Sequence, residues 1–174
     1  MTDLTFAHAP TSDALRISVL LKTAYIQAYA EEGISFEFAN FIEQRFSVQT
    51  IERTIIEYPE QIIAAYFKGN PVGVAEIIVE SKCPIRQTAT AELSKLYVLH
   101  AFKNIGVGSE LLKKAERVAI NNGGKDCILE VYIKNESAIQ FYKKHGYHII
   151  GSIDASMETN YYEDLIMTKT LVSQ

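Results

Sequence analysis

The stretch from Leu96 to Ser109 narrows the possible folds more than any other part of the chain. Leu96-Tyr97-Val98 reads as a strand, and Lys103-Asn104-Ile105-Gly106-Val107-Gly108-Ser109 as a glycine-bearing loop that opens a helix. A strand that feeds a helix and then a second strand makes the two strands parallel neighbours, which points to an α/β fold. The same turn has a chemical reading. The first turn of a helix leaves N–H groups without intrahelical partners, and the helix dipole adds positive potential there, so a phosphate or pyrophosphate is favoured. Gly106 and Gly108 permit close backbone approach, and Lys103 adds a cation. A tight turn that merely needs glycine would look the same, so the loop alone leaves both readings open. Two nucleotide patterns are excluded. Gly108 is followed by Ser109-Glu110 rather than the Lys-Ser/Thr of a Walker loop, and Leu111 stands where the dinucleotide fingerprint needs a third Gly or Ala.

The rest of the chain supplies elements around that turn. Thr5–Ala9 is a short strand, and Thr11-Ser12-Asp13 offers N-caps for a helix over Ala14–Tyr29. In that helix Leu15, Val19, Lys22 and Ile26 mark one stripe, with Leu20, Ala24 and Ala28 beside it. Phe36–Phe46 and Val48–Tyr58 read as further helices, with Ser47 a cap between them. Gln61–Lys68 and Val72–Glu80 are strands joined at Gly69-Asn70, a hairpin turn. Ala91–Leu99 is the strand before the loop. Gly108–Asn122 is an amphipathic helix stopped by Gly123-Gly124. Ile128–Ile133 is its parallel partner strand, Asn135–His145 a helix closed by Gly146, and Tyr147–Ile153 and Leu165–Leu171 the last strands.

Composition sets limits on function. The chain has 174 residues, 48% of them hydrophobic, enough for one domain over 1–174 with a sizeable core. A net charge of −4 leaves no broad footprint for nucleic acid. No apolar run is long enough for a membrane span, and Met1-Thr2-Asp3-Leu4 begins nothing like a signal peptide. Cys83, in a polar loop, and Cys127, in an apolar strand, have no ligand-like neighbours, and the four His residues show no metal-ligand spacing. A cytoplasmic protein without a metal is expected.

Downstream stands Asn135-Glu136-Ser137-Ala138-Ile139-Gln140-Phe141-Tyr142-Lys143-Lys144-His145-Gly146-Tyr147. With this second motif the chain resembles the Gcn5-related N-acetyltransferase (GNAT) superfamily. That family has Gln or Arg, two residues, Gly, one residue, then Gly or Ala. An Asn-x-x-Ala-x-x-Phe-Tyr-x-x-x-Gly-Phe/Tyr segment follows. Lys103 here replaces the Gln or Arg, and Asn104 a frequent Gly; Lys keeps the charge and loses the planar fork. The resemblance covers Ala91 to Tyr147 well. It extends loosely to the hairpin at Gln61–Glu80 and to Glu163–Met167. It implies a single α/β (α+β) GNAT-like domain with a mixed, mostly antiparallel sheet of about seven strands. Helices cover both faces, and the parallel pair splays.

The resemblance also implies acetyl-coenzyme A. Its pyrophosphate would lie on Lys103, Asn104, Ile105, Gly106, Val107, Gly108 and Ser109. Its pantetheine would pair with Leu96, Tyr97 and Val98 like an added strand and take a hydrogen bond from Asn135, with Tyr142 beside the sulfur. An attacking amine has a pKa near 10 and must lose a proton first. Glu92, where the histone-acetylating branch of the family carries a Glu, is the expected general base, directly or through water. Glu76 and Glu130 are the alternatives, because facing across a bulged strand stays open. A backbone N–H near Leu96 or Tyr97 would hold the oxyanion, and Tyr142 would protonate the thiolate. Spacing alone would equally make Tyr142 a core aromatic, Asn135 a plain helix cap, Glu92 a solvated side chain, and Lys143 and Lys144 a solvated face.

The acceptor must be sought in the first helices and the C-terminal end. Glu31, Glu32, Glu37 and Glu43 stand among Phe36, Phe38 and Phe41, and Tyr161 and Tyr162 precede the last strand. Acidic and aromatic groups together suit a cationic amine. The layout loosely resembles bacterial spermidine/spermine acetyltransferases, so a polyamine is the first expectation. A protein N-terminus or lysine is the rival acceptor, and a non-catalytic acyl-coenzyme A binding module is the rival class. A homodimer is compatible with the sequence.

Overall fold

The computed structural model describes residues 3–30, 33–157 and 160–172, with the side chains of 155–157 and 160–161 left aside. Along the chain come β1 (Leu4–His8), α1 (Ala14–Tyr29), α2 (Phe36–Arg45), α3 (Val48–Glu57), β2 (Ile62–Phe67), β3 (Asn70–Lys82) and β4 (Ala89–Val98). Then follow α4 (Val107–Asn121), β5 (Asp126–Tyr132), α5 (Glu136–Lys144), β6 (His148–Met157) and β7 (Asn160–Thr170). The strands form one seven-stranded mixed sheet in the order β1-β2-β3-β4-β5-β7-β6.

The β1–β2, β2–β3, β5–β7 and β6–β7 ladders are antiparallel. β3 and β4 also run antiparallel, since their partners fall in opposite order: Cys83 with Thr88, Glu76 with Lys95, Val72 with Leu99. β4 and β5 are the parallel pair required by the strand–helix–strand crossover. Their ladder is short: Ala91↔Cys127 and Glu92↔Ile128 are its pairs among the described residues. Register shifts fall between Ala65 and Tyr66 and between Ile149 and Gly151.

Two compact units make up the chain, one of Met1–Glu76 and Lys95–Ala115, the other of Ile77–Ser94 and Glu116–Gln174. The core of the first is Ile17 and Leu21 of α1 against Phe46, Ile51 and Ile55, closed by Ile62, Ala64 and Val74 from the sheet. Phe46 is wholly buried, and its carbonyl accepts from Ser18 Oγ at 2.5 Å. The second unit buries Leu93, Cys127, Leu129, Ile166 and Met167 of its strands with Val118 and Ala119 of α4.

Helix α1 has the limits its sequence dictates, but a different buried face. Leu15 and Val19 are 61% and 54% exposed, while Ile17, Leu20, Leu21 and Ala24 face inward. The helix carries apolar residues on more than one side, so its periodicity does not select a stripe; the position of Phe46, Ile51 and Ile55 does. Asp13 occupies the N-cap position of α1 without capping it. Its carboxylate, 2% exposed with its residue, instead accepts from Arg16 and, at 2.7 Å, from Tyr66 Oη. Ser47 caps α3 as expected, accepting from Thr50 N at 3.2 Å, and Ser35 caps α2 in the same way. The last hairpin extends beyond the apolar segments that announce it, to Met157 on one strand and from Asn160 on the other. Backbone pairing carries it there.

Candidate functional site

In the first unit, β4 ends at Val98 and Leu99 N donates to Val72 O at 2.9 Å, so the strand is fastened to β3 at its last residues. A 3₁₀ turn, His100–Phe102, follows. Phe102 packs on Phe67, ring centroids 5.4 Å apart, which anchors the turn. The chain then runs through Lys103, Asn104, Ile105 and Gly106, all exposed, to the buried Val107 at the head of α4. Asn104 (φ 62°) and Gly106 (φ 92°) are both left-handed. Asn tolerates this conformation better than most side chains and Gly has no penalty, so residue choice and backbone agree. The first intrahelical bond is Glu110 N to Gly106 O, 3.0 Å. The amides of Val107, Gly108 and Ser109 therefore occupy the first-turn positions that no helical carbonyl can satisfy. Lys103 supplies a cation at the loop's start. Leu111 and Leu112, at most 1% exposed, root the helix beneath it.

In the second unit, Asn135 caps α5: its Oδ1 accepts from Ala138 N at 3.2 Å and from Ser137 Oγ at 3.1 Å. Tyr142 lies on the inward side of α5, 9% exposed. The end of the helix fixes it. Gly146 is left-handed (φ 89°), its N–H reaches Lys143 O, and Tyr147 N–H reaches Tyr142 O at 3.1 Å. These are the two bonds of a Schellman stop, and the accompanying apolar contact is the one between the Tyr142 and Tyr147 rings, 5.8 Å apart. The Phe-Tyr-x-x-x-Gly-Tyr spacing is thus a helix terminus that holds one tyrosine. Lys143 and Lys144 are exposed, and His145 Nδ1 lies 2.8 Å from Phe141 O.

The three candidate carboxylates differ in setting. Glu92 is half-buried beside Ile128 of β5 and accepts from Ser81 Oγ at 2.6 Å. Glu76 is buried and ion-paired with Lys95, Nζ to Oε1 2.6 Å. Glu130 is exposed. Sequence reasoning missed Lys95 and Glu76 as a pair, though a signal existed. Lys95 alternates with Ala91, Leu93 and Tyr97 on β4, and Glu76 interrupts the apolar run Val72–Val79.

For an acceptor, the first unit offers an aromatic cluster centred on Tyr25, with ring centroids of Phe41 at 5.6 Å, Phe38 at 5.7 Å and Tyr97 at 6.0 Å. Phe36 is 83% exposed, and Glu43 is engaged by Lys22 at 2.7 Å. Glu31 and Glu32 lie outside the described residues, and Tyr161 enters only through its backbone pairing with Ser156. Among the described residues no group of His, Cys, Asp or Glu could hold a metal ion, and no helix is long and apolar enough to cross a membrane.

Comparison with known proteins converges on one family. The model described as acetyltransferase (GNAT) family matches residues 23–147, which include both the loop and the α5 motif. An uncharacterized N-acetyltransferase of Mycobacterium tuberculosis is 28% identical over 134 residues, 77% of this chain and 82% of that protein. The spermidine N(1)-acetyltransferase of Thermoplasma acidophilum is 25% identical over 133 residues, 74% of this chain and 75% of that one. Among solved structures, the PaiA N-acetyltransferase of Thermoplasma acidophilum in complex with coenzyme A superposes with a TM-score of 0.79 at 19% identity. That superposition covers 96% of this chain and 98% of that one.

Proposed function

The chain belongs to the acetyltransferase (GNAT) family, and from that premise we propose that it moves the acetyl group of acetyl-coenzyme A to a primary amine by direct attack in a ternary complex. The observation that carries the reading is the loop of Lys103–Ser109, where two left-handed residues, Asn104 and Gly106, lead directly into the first turn of α4. The amides of such a turn suit a pyrophosphate. The pantetheine would pair with Leu96, Tyr97 and Val98, and Asn135 would hydrogen-bond it.

The chemistry follows from what each group can give. The acceptor ammonium loses a proton to Glu92, directly or through a water. The amine nitrogen then bonds to the acetyl carbon, and the carbonyl oxygen, taking the electron pair, is held by a backbone N–H near Leu96 or Tyr97. When the carbon–sulfur bond breaks, the thiolate takes the phenolic proton of Tyr142, and the phenolate recovers a proton as the new amide nitrogen sheds its second one. The acceptor we propose is a small cationic amine such as a polyamine. Support comes from the spermidine acetyltransferase relative and from the aromatic rings around Tyr25 with Glu37 nearby in sequence, which suit a cation through ring faces and charge. The two free, buried cysteines fit a reducing cytoplasm.

An amine panel with acetyl-coenzyme A, followed by thiol release, tests this. Spermidine or spermine should outpace peptides. Turnover confined to peptide N-termini or lysines would move the acceptor to protein. Coenzyme binding without turnover on any amine would make the chain a binding module.

A further inference from the structure

Lys95 and Glu76 carry a charge pair that the reaction outlined above does not use. Their side chains are 10% and 8% exposed, and Nζ stands 2.6 Å from Oε1. By contrast the Lys114–Glu110 pair is 39% and 42% exposed and 3.6 Å long. Removing two charges from water is costly, and apolar replacements are often as stable or more so. A buried pair is therefore poorly explained by stability, and better by something it holds in place.

What it holds is the second half of β4. The β4–β5 ladder has its pairs at Ala91 and Glu92, so the residues from Lys95 to Val98 depend on β3 and on side-chain packing for their position. Leu99 N bonds to Val72 O. Gly73 of β3 lets the Tyr97 carbonyl come within 3.2 Å of where a Cβ would sit. Tyr97 itself packs on Tyr25 and Phe46, at 6.0 and 6.3 Å. Upstream of these, Lys95 ties β4 to β3 by a short charge-assisted bond at the residue before Leu96.

We propose that the Glu76–Lys95 pair is a positioning device: it sets the Leu96–Val98 backbone so that an N–H there meets the oxyanion of the acetyl group. This rests on the acetyl-coenzyme A reading given above. The two side chains engage each other, and in this proposal both act through the strand.

The test replaces both charges, Glu76→Leu with Lys95→Met. The double variant should melt at or above the wild-type temperature and still bind coenzyme A by calorimetry, because the pyrophosphate loop is untouched; any rise in Kd from the disturbed pairing of Leu96–Val98 with the pantetheine should be smaller than the fall in kcat. Its kcat should fall on the order of 10- to 100-fold, the cost of a small misplacement near the reacting centre. A pair with a merely structural role would leave kcat intact in a fully folded variant, and that result overturns the proposal. If the double variant does not fold, Glu76→Asp keeps the charge and withdraws it by one methylene. It should lower kcat by a larger factor than it raises Kd, and wild-type kcat there also overturns the proposal. A wild-type protein that neither binds coenzyme A nor releases thiol overturns the acetyltransferase reading, and this proposal with it. Wild-type turnover with an unimpaired double variant overturns this proposal alone.

Discussion

Tyr142 is a packed side chain for which a chemical role is proposed. It is 9% exposed, its carbonyl receives the Tyr147 N–H, and its ring leans on that of Tyr147. Spacing on an amphipathic helix could reveal only the packing; the Schellman stop explains why the ring points one way. If its hydroxyl protonates the departing thiolate, Tyr142→Phe should lower kcat by about 10²- to 10⁴-fold, the usual worth of a general acid. Coenzyme affinity by calorimetry should be unchanged. Normal kcat across the pH range would reduce Tyr142 to a packing role. Glu92 is a parallel case with a different readout. Its carboxylate already accepts from Ser81, so Glu92→Gln preserves shape and a hydrogen bond while removing the base. Turnover should drop, and the deficit should shrink as pH rises because more amine arrives deprotonated. A pH-independent deficit would mark Glu92 as positioning only.

The turn between β4 and α4 is the element on which the coenzyme reading depends. Gly106 has φ 92° and open space where a side chain would project. Gly106→Glu would strain the backbone and place an anion at the proposed pyrophosphate site, so calorimetry on the folded variant should show coenzyme binding lost. Retained affinity would remove the loop from the site. This element was legible in the sequence because its determinants are local: glycines at a strand-to-helix junction and the apolar face of the helix that follows. The limits of α1, Ala14 to Tyr29, were legible for the same reason. Its buried face was not, since Leu15 and Val19 are as apolar as Leu20 and Leu21 and only the partner helices distinguish them. Asp13 was misread as a cap because Tyr66, which competes for its carboxylate, lies far along the sequence. The Glu76–Lys95 pair was hidden likewise: alternation places each residue on a face of its own strand, but register between strands decides which two meet.

At the scale of the whole molecule, buried protonated groups set an alkaline limit. Burial pushes the Cys127 thiol from 9.0 up to about 11. It also pushes the Tyr147 hydroxyl and the Tyr66 hydroxyl above the ordinary phenol range. The unfolded chain releases these protons first, so stability falls as pH rises. The Cys127 share is whole below about pH 9 and lost as pH passes through about 11, ~3 kcal/mol in all. Urea unfolding at about pH 8 and about pH 10.5 should show the decline, and Cys127→Ala should lessen it. An unchanged slope in that variant would acquit the thiol.

The burial of Cys83 and Cys127, 1% and 0% exposed, reaches beyond stability to how the protein can be observed. These are the chain's two cysteines. The native surface therefore presents no sulfhydryl to a colorimetric reagent, and buried thiols are inert toward such attack. In a continuous assay every equivalent of colour belongs to released coenzyme, and progress curves need no correction for the enzyme itself.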